Sequence, residues 1–232
     1  MAYGRVNTGT VPTGVRVITI GLYLCDYALT SLYKLDPDTL LPINTVSSPS
    51  TSPTGVGGTA IGLYHCDIDS DKIYELDSDT LLPINAVSSP STIPFGIGGT
   101  ATRLYNCDAG SDNFYELDSD TLLPINTVSS PSIDPTGIGG TATRLYSCDN
   151  ITDNFYELDP DTLLPINTVN NPSTYSPFGI GGTATRLYNS DRITDNLYEL
   201  DPDTLLPIST VGSPGSYPYG IGGTKENGTL PA

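Results

Sequence analysis

Four pairs of aspartates, the members of each pair four residues apart, recur along the chain: Asp67 with Asp71, Asp108 with Asp112, Asp149 with Asp153, and Asp191 with Asp195. Carboxylates so spaced are the raw material of a hard-cation site, and Asp67-Ile-Asp69-Ser-Asp71 opens as a calcium loop does. The glycine and the distal glutamate of such a loop do not follow. Asp, Ser, Asn and Gly are also the residues that close tight turns by bonding their own backbone. These aspartates are therefore read first as turn residues. No metal and no cofactor is assigned, weak and repeated Ca2+ binding being the one exception the acidic rims would admit.

Other reactive side chains are sparse. His65 is the single histidine and tryptophan is absent. No nucleophile recurs beside a base. The GIGG strings lack the strand-to-helix turn of a phosphate loop, and the expectation is that the protein is not an enzyme. Cys25, Cys66, Cys107 and Cys148 recur once per unit of sequence, with Ser190 in the fifth place. Equivalent positions in neighbouring packed sheets lie roughly 10 Å apart, beyond the ~7 Å reach of a disulfide. Buried free thiols are expected. Tyrosines recur in two ladders (Tyr64, Tyr105, Tyr146, Tyr188 and Tyr74, Tyr115, Tyr156, Tyr198), placed to pack between units. Arg103, Arg144 and Arg186 form a partial ring, with Gly21 and Gly62 in the first two copies.

All these positions are fixed by one repeat. Arg103–Val128 and Arg144–Val169 agree at 21 of 26 positions, and Gly14, Gly55, Gly96 and Gly137 stand 41 residues apart. Such a period signals units that bury their apolar faces only by stacking on one another. Each unit reads as four short strands. In the third they are PFGIGG (94–99), TRLYNCD (102–108), NFYELD (113–118) and LLPINTV (122–128). Asp-rich turns separate the second strand from the third and the third from the fourth. Proline in the fourth strand suits an outer edge, and glycine in the first suits a crowded axis. No apolar 3.6-residue period lasts beyond one turn. The expectation is an all-β, five-bladed β-propeller of four-stranded antiparallel blades, about 41 residues per blade.

The string PTGIGG…RLYSCDNITDNFYELDPDT (135–162) resembles the YVTN and NHL-like propeller repeats, and the resemblance spans all five units, from Pro12 to about Pro218. It implies the propeller fold. For function it implies only that such folds serve as scaffolds, binding modules and occasionally enzymes. The loop between the first two strands, often longer in that family, is here Gly-Gly-Thr-Ala.

One propeller domain is thus expected over 1–232. Its repeats run at about 12–52, 53–93, 94–134, 135–176 and 177–218, with terminal strands at 1–11 and 219–232. Those ends are spare. GRVNT (4–8) echoes a fourth strand, and YGIGGT (219–224) is the start of a unit that never continues. Either an end displaces the degenerate first copy (Gly14 to Thr19), or the ends pair with another molecule; closure within the chain is preferred.

Sequence variation gathers in the turn after the second strand and in the connection between blades, which share one face of the ring. That variable face is where a ligand site is sought. Its candidate ligand-binding residues are Asp67, Asp71, Asp108, Asp112, Asp149, Asp153, Asp191, Asp195, Tyr175 and Tyr217, with no catalytic residue and no metal ligand named. A net charge of −17 with nine Lys and Arg argues against nucleic acid as a partner. No apolar run reaches transmembrane length, and no signal-peptide core opens the chain. An extracellular or cell-surface setting is favoured. The expected role is a non-enzymatic binding module or scaffold for a protein or glycan surface. The alternative is a structural fibre or surface-layer subunit that self-associates head to tail through its terminal strands.

Overall fold

Asp-Ser-Gly-Pro turns cut the sequence into apolar runs of five or six residues, too short for helices and suited to strands. The computed structural model describes residues 20–170 and 176–225; GRVNT, Gly14–Thr19 and Tyr175 lie outside them. Blade 1 takes β1 (Leu22–Asp26), β2 (Ser31–Leu35) and β3 (Pro42–Ser47). Blade 2 is β4 (Pro53–Gly58), β5 (Leu63–Asp67), β6 (Lys72–Leu76) and β7 (Pro83–Ser88). Blade 3 is β8 (Pro94–Gly99), β9 (Leu104–Asp108), β10 (Asn113–Leu117) and β11 (Pro124–Ser129). Blade 4 is β12 (Pro135–Gly140), β13 (Leu145–Asp149), β14 (Asn154–Leu158) and β15 (Pro165–Asn170). Blade 5 is β16 (Pro177–Gly182), β17 (Leu187–Asp191), β18 (Asn196–Leu200) and β19 (Pro207–Gly212), and β20 (Pro218–Gly223) comes last.

Four sheets follow chain order from inner to outer strand, whereas the fifth has the order β20-β1-β2-β3. The C-terminal strand therefore supplies the inner strand of blade 1, in antiparallel register with Leu22 opposite Gly223. The fold is the five-bladed, all-β propeller that the repeat predicts.

Glycine lets the five inner strands crowd the axis. A Cβ at Gly57 would lie 2.5 Å from the Ile97 carbonyl oxygen, and one at Gly98 2.9 Å from that of Ile138. The series continues through Gly139 and Gly181 to Gly222, which meets Val56 of blade 2 and closes the circle. Apolar cores lie between blades, not within them. Tyr64, Cys66 and Ile73 of blade 2, for example, pack against Ile97, Leu104, Tyr115, Leu117 and Leu122 of blade 3. The four cysteines are buried and free. The outer strands are largely exposed, and each begins with its proline.

A polar clamp crosses every seam on the face where the inner strands end. The Tyr105 hydroxyl donates to the Pro160 carbonyl at 2.8 Å, and Arg103 reaches the same oxygen at 2.9 Å. Tyr146 with Arg144 repeats this at Pro202 and Asp203, and Tyr188 with Arg186 at Pro37 and Asp38. In blade 1, Tyr23 and Lys34 both donate to the Ser78 carbonyl, while blade 2 uses Tyr64 to the Ser119 carbonyl. The arginine ring and the first tyrosine ladder are inter-blade ties. Each tie ends on an Asp-x-Asp-Thr turn, whose closing leucine (φ 57° at Leu40) stays buried despite its left-handed backbone.

Candidate functional site

On the opposite, variable face, the first aspartate of each pair is buried and committed to its own turn. Asp108 Oδ1 accepts from the Gly110 and Ser111 backbone N–H at 3.0 and 2.7 Å, and Oδ2 accepts from Ile93 N–H at 2.9 Å. Asp67 holds Ser70 and Ser52 in the same way, and Asp149 holds Ile151, Thr152 and the Ser132 hydroxyl. Asp191 accepts from Ile193 and Thr194. Each of these carboxylates ties a turn, and in blades 2 to 4 also the incoming connection. The second aspartates, Asp71, Asp112, Asp153 and Asp195, sit at φ 50–55° where the turn reverses, a place Thr30 fills in blade 1. Burial, then the nearby Asp149 and Asp191 charges, raises the Asp153 pKa, and burial with Asp26 and Asp191 raises that of Asp195. Among the described residues no three His, Cys, Asp or Glu side chains gather as a metal ion would require.

The variable face is not five-fold symmetric. The second residue of each inner strand alternates around the ring: Tyr219, Thr54, Phe95, Thr136, Phe178 for blades 1 to 5. The two threonines donate to the next strand's carbonyl, Pro94 at 2.7 Å and Pro177 at 2.9 Å. The three aromatic rings meet across the axis with centroids 4.7 to 6.0 Å apart. Tyr27 stacks on Tyr219 at 4.8 Å, and the Arg192 guanidinium lies 4.2 Å over the Phe178 ring. Arg192 Nη1 also donates to the Tyr219 hydroxyl at 3.3 Å. The result is a stacked column from Tyr27 through Tyr219 and Phe178 to a half-buried guanidinium, a geometry favourable to cation and ring alike.

Beside this column a cleft of about 480 Å³ opens between blades 5 and 1, lined by Arg192, Ile193, Asp195, Ser216 and Tyr217. Asp195, in the turn after β17, and Tyr217, in the connection to β20, thus come from the two ends of the fifth copy to one place. Tyr217 is 46 % exposed while its backbone is fixed to blade 1 through Asp26 and Tyr27. Asp67, Asp71, Asp108, Asp112, Asp149 and Asp153 stand in the turns of other blades, away from this cleft, and Asp191 is buried and does not line it. The column itself, Tyr27, Phe178, Arg192 and Tyr219, was not singled out from sequence. Its signal was present in the PTG, PFG and PYG variants of one motif.

No family model matches the chain, and no curated protein matches its sequence. Its fold is shared by solved structures. A chain of the nidogen/laminin complex superposes with a TM-score of 0.61 at 15 % identity, over 88 % of this chain and 98 % of that one. The glutaminyl cyclase of Myxococcus xanthus superposes with a TM-score of 0.60 at 12 % identity, over 69 % of this chain and 70 % of that one. At such identities the likeness is one of fold: a β-propeller architecture that occurs in a protein complex and in an enzyme.

Proposed function

We propose that this protein is a non-enzymatic binding module that engages a protein or glycan surface with its variable face, at the seam between blades 5 and 1. The observation that carries the reading is the break in five-fold symmetry there. Four copies of a turn-and-connection unit recur with small changes, and the fifth adds Arg192 on an aromatic column, with the exposed Tyr217 beside the Asp195 carboxylate. Tyrosine and arginine held on a rigid frame are the side chains that dominate binding energy at interfaces. The clamps at the five seams provide that frame, and stacking holds the guanidinium in place before a ligand arrives, which limits the entropy lost on binding. The carboxylate, the Ser216 hydroxyl and the guanidinium together suit a ligand rich in hydroxyl and amide groups.

The expected outcome is a set of binders from glycan and peptide arrays whose affinity falls at least about tenfold in Tyr217→Ala and in Arg192→Ala. EDTA should change neither binding nor melting temperature. Binders that ignore both substitutions would move the site elsewhere; arrays without binders would leave only a scaffold role.

A further inference from the structure

The other end of the axis holds a side chain that the repeat does not supply. Lys225 follows β20, is 2 % exposed, and donates from Nζ to the carbonyls of Gly58 at 2.7 Å and Gly223 at 2.8 Å. Its backbone N–H bonds to the Thr59 carbonyl, so the chain crosses from blade 1 to blade 2 at this point. No ion pair forms with it among the described residues. Burial alone pushes its amine down to about 7.

The two carbonyls belong to a larger set. In each blade the threonine after the inner strand bonds through its N–H to the paired strand, as Thr59 does to Gly62 and Thr100 to Arg103. The same bond recurs at Thr141, Thr183 and Thr224. Along an antiparallel pair, bonded and non-bonded positions alternate. The residue just before each threonine therefore turns its own C=O to the strand's free edge, which faces the axis. Those residues are Gly58, Gly99, Gly140, Gly182 and Gly223. The carbonyls of Gly58 and Gly223 meet at Lys225, and equivalence of the five strand ends would bring those of Gly99, Gly140 and Gly182 to the same end of the axis.

We propose that this carbonyl ring is a binding site for a monovalent cation of ammonium size, and that the chain fills it with the ammonium of Lys225. Rings of backbone oxygens replace the hydration shell of such ions. The Lys225 ammonium has three donors and uses two on this ring. This site lies at the opposite end of the axis from the ligand cleft and does not depend on that reading.

The test is the Lys225→Ala variant of the full chain, melted below pH 7, where the wild-type Lys225 amine is charged, in ammonium, potassium or tetramethylammonium chloride at equal ionic strength. Ammonium or potassium should raise its melting temperature by several degrees in a saturable way, as a ligand of the folded state does. Tetramethylammonium should not, and the wild type should not distinguish the three salts. A variant indifferent to the choice of salt, or a wild type that responds as the variant does, overturns the proposal. If the variant folds in none of the salts, amine acetylation of the wild type decides. Lys225 should react roughly tenfold or more slowly than the exposed Lys72; equal rates overturn occupancy of the ring.

Discussion

One residue in the middle of each second strand shows how much a single side chain can decide here. The position reads Leu24, His65, Asn106, Ser147 and Asn189, all buried. The four polar members each bond the carbonyl of a glycine on the inner strand, at 2.7 to 2.8 Å. Burial holds the His65 imidazole neutral, its pKa pushed from 6.5 down to about 4. The unfolded chain therefore takes up the proton first. Stability from the neutral ring is complete above pH 6.5 and is lost as pH falls towards 4. At about 1.4 kcal/mol per pH unit, the loss amounts to about 3 kcal/mol. Asn106 and Asn189 show that an amide makes the same bond, so His65→Asn should fold normally and flatten this part of the acid limb in urea melts. An unchanged pH dependence would refute the assignment. From sequence His65 stood out only as a lone histidine. Its partner, Gly55, comes within reach through strand pairing and a β-bulge, which no local spacing encodes.

At the scale of elements, strand order and edge character were legible because backbone rules write them into residue type. Proline marks the start of every outer strand and glycine fills every inner one, as pairing and crowding require. The aspartate pairs were legible as turns for a similar reason. The aromatic column was not, since its members lie on two blades, far apart in sequence, and meet only where blade 5 packs against blade 1. The crowding predicts a contrast between two glycines. Gly139→Ala places a Cβ 2.7 Å from the Ile180 carbonyl oxygen, and a backbone neighbour cannot swing aside, so a loss of about 1–3 kcal/mol is expected. Gly212, on outer strand β19, has nothing within 4 Å of its added Cβ. Gly212→Ser restores the residue of other copies, as at Ser129, and should leave stability within about 0.5 kcal/mol. Equal effects in urea unfolding would mean that the inner strands have room to move.

For the whole molecule, five copies announced five blades, but not which end would complete which blade. The sequence offered both termini as spare strands, and pairing of β20 with β1 is a tertiary choice between near-equal local signals. It commits the C-terminal strand within the chain, leaving the head-to-tail alternative without one of its two linkers. A chain ending at Tyr217 should lose cooperative unfolding, since β16 and β4 would face a gap where β20 stood. A peptide of residues 218–225 added in trans should restore it. Cooperative melting of the shortened chain without peptide would show that another segment takes the strand's place.

The alternation of threonine and aromatic residues around the axis carries one more consequence, of parity. A two-letter pattern can run around an even ring without fault; around an odd one it must repeat a letter somewhere. With five blades the repeat falls where Phe178 meets Tyr219, the seam that bears Arg192 and the cleft. The seam chosen for the ligand site thus coincides with an arithmetic fault of the molecule's own ring. A sixth blade carrying threonine would remove that fault, and with it the reason for a seam unlike the others.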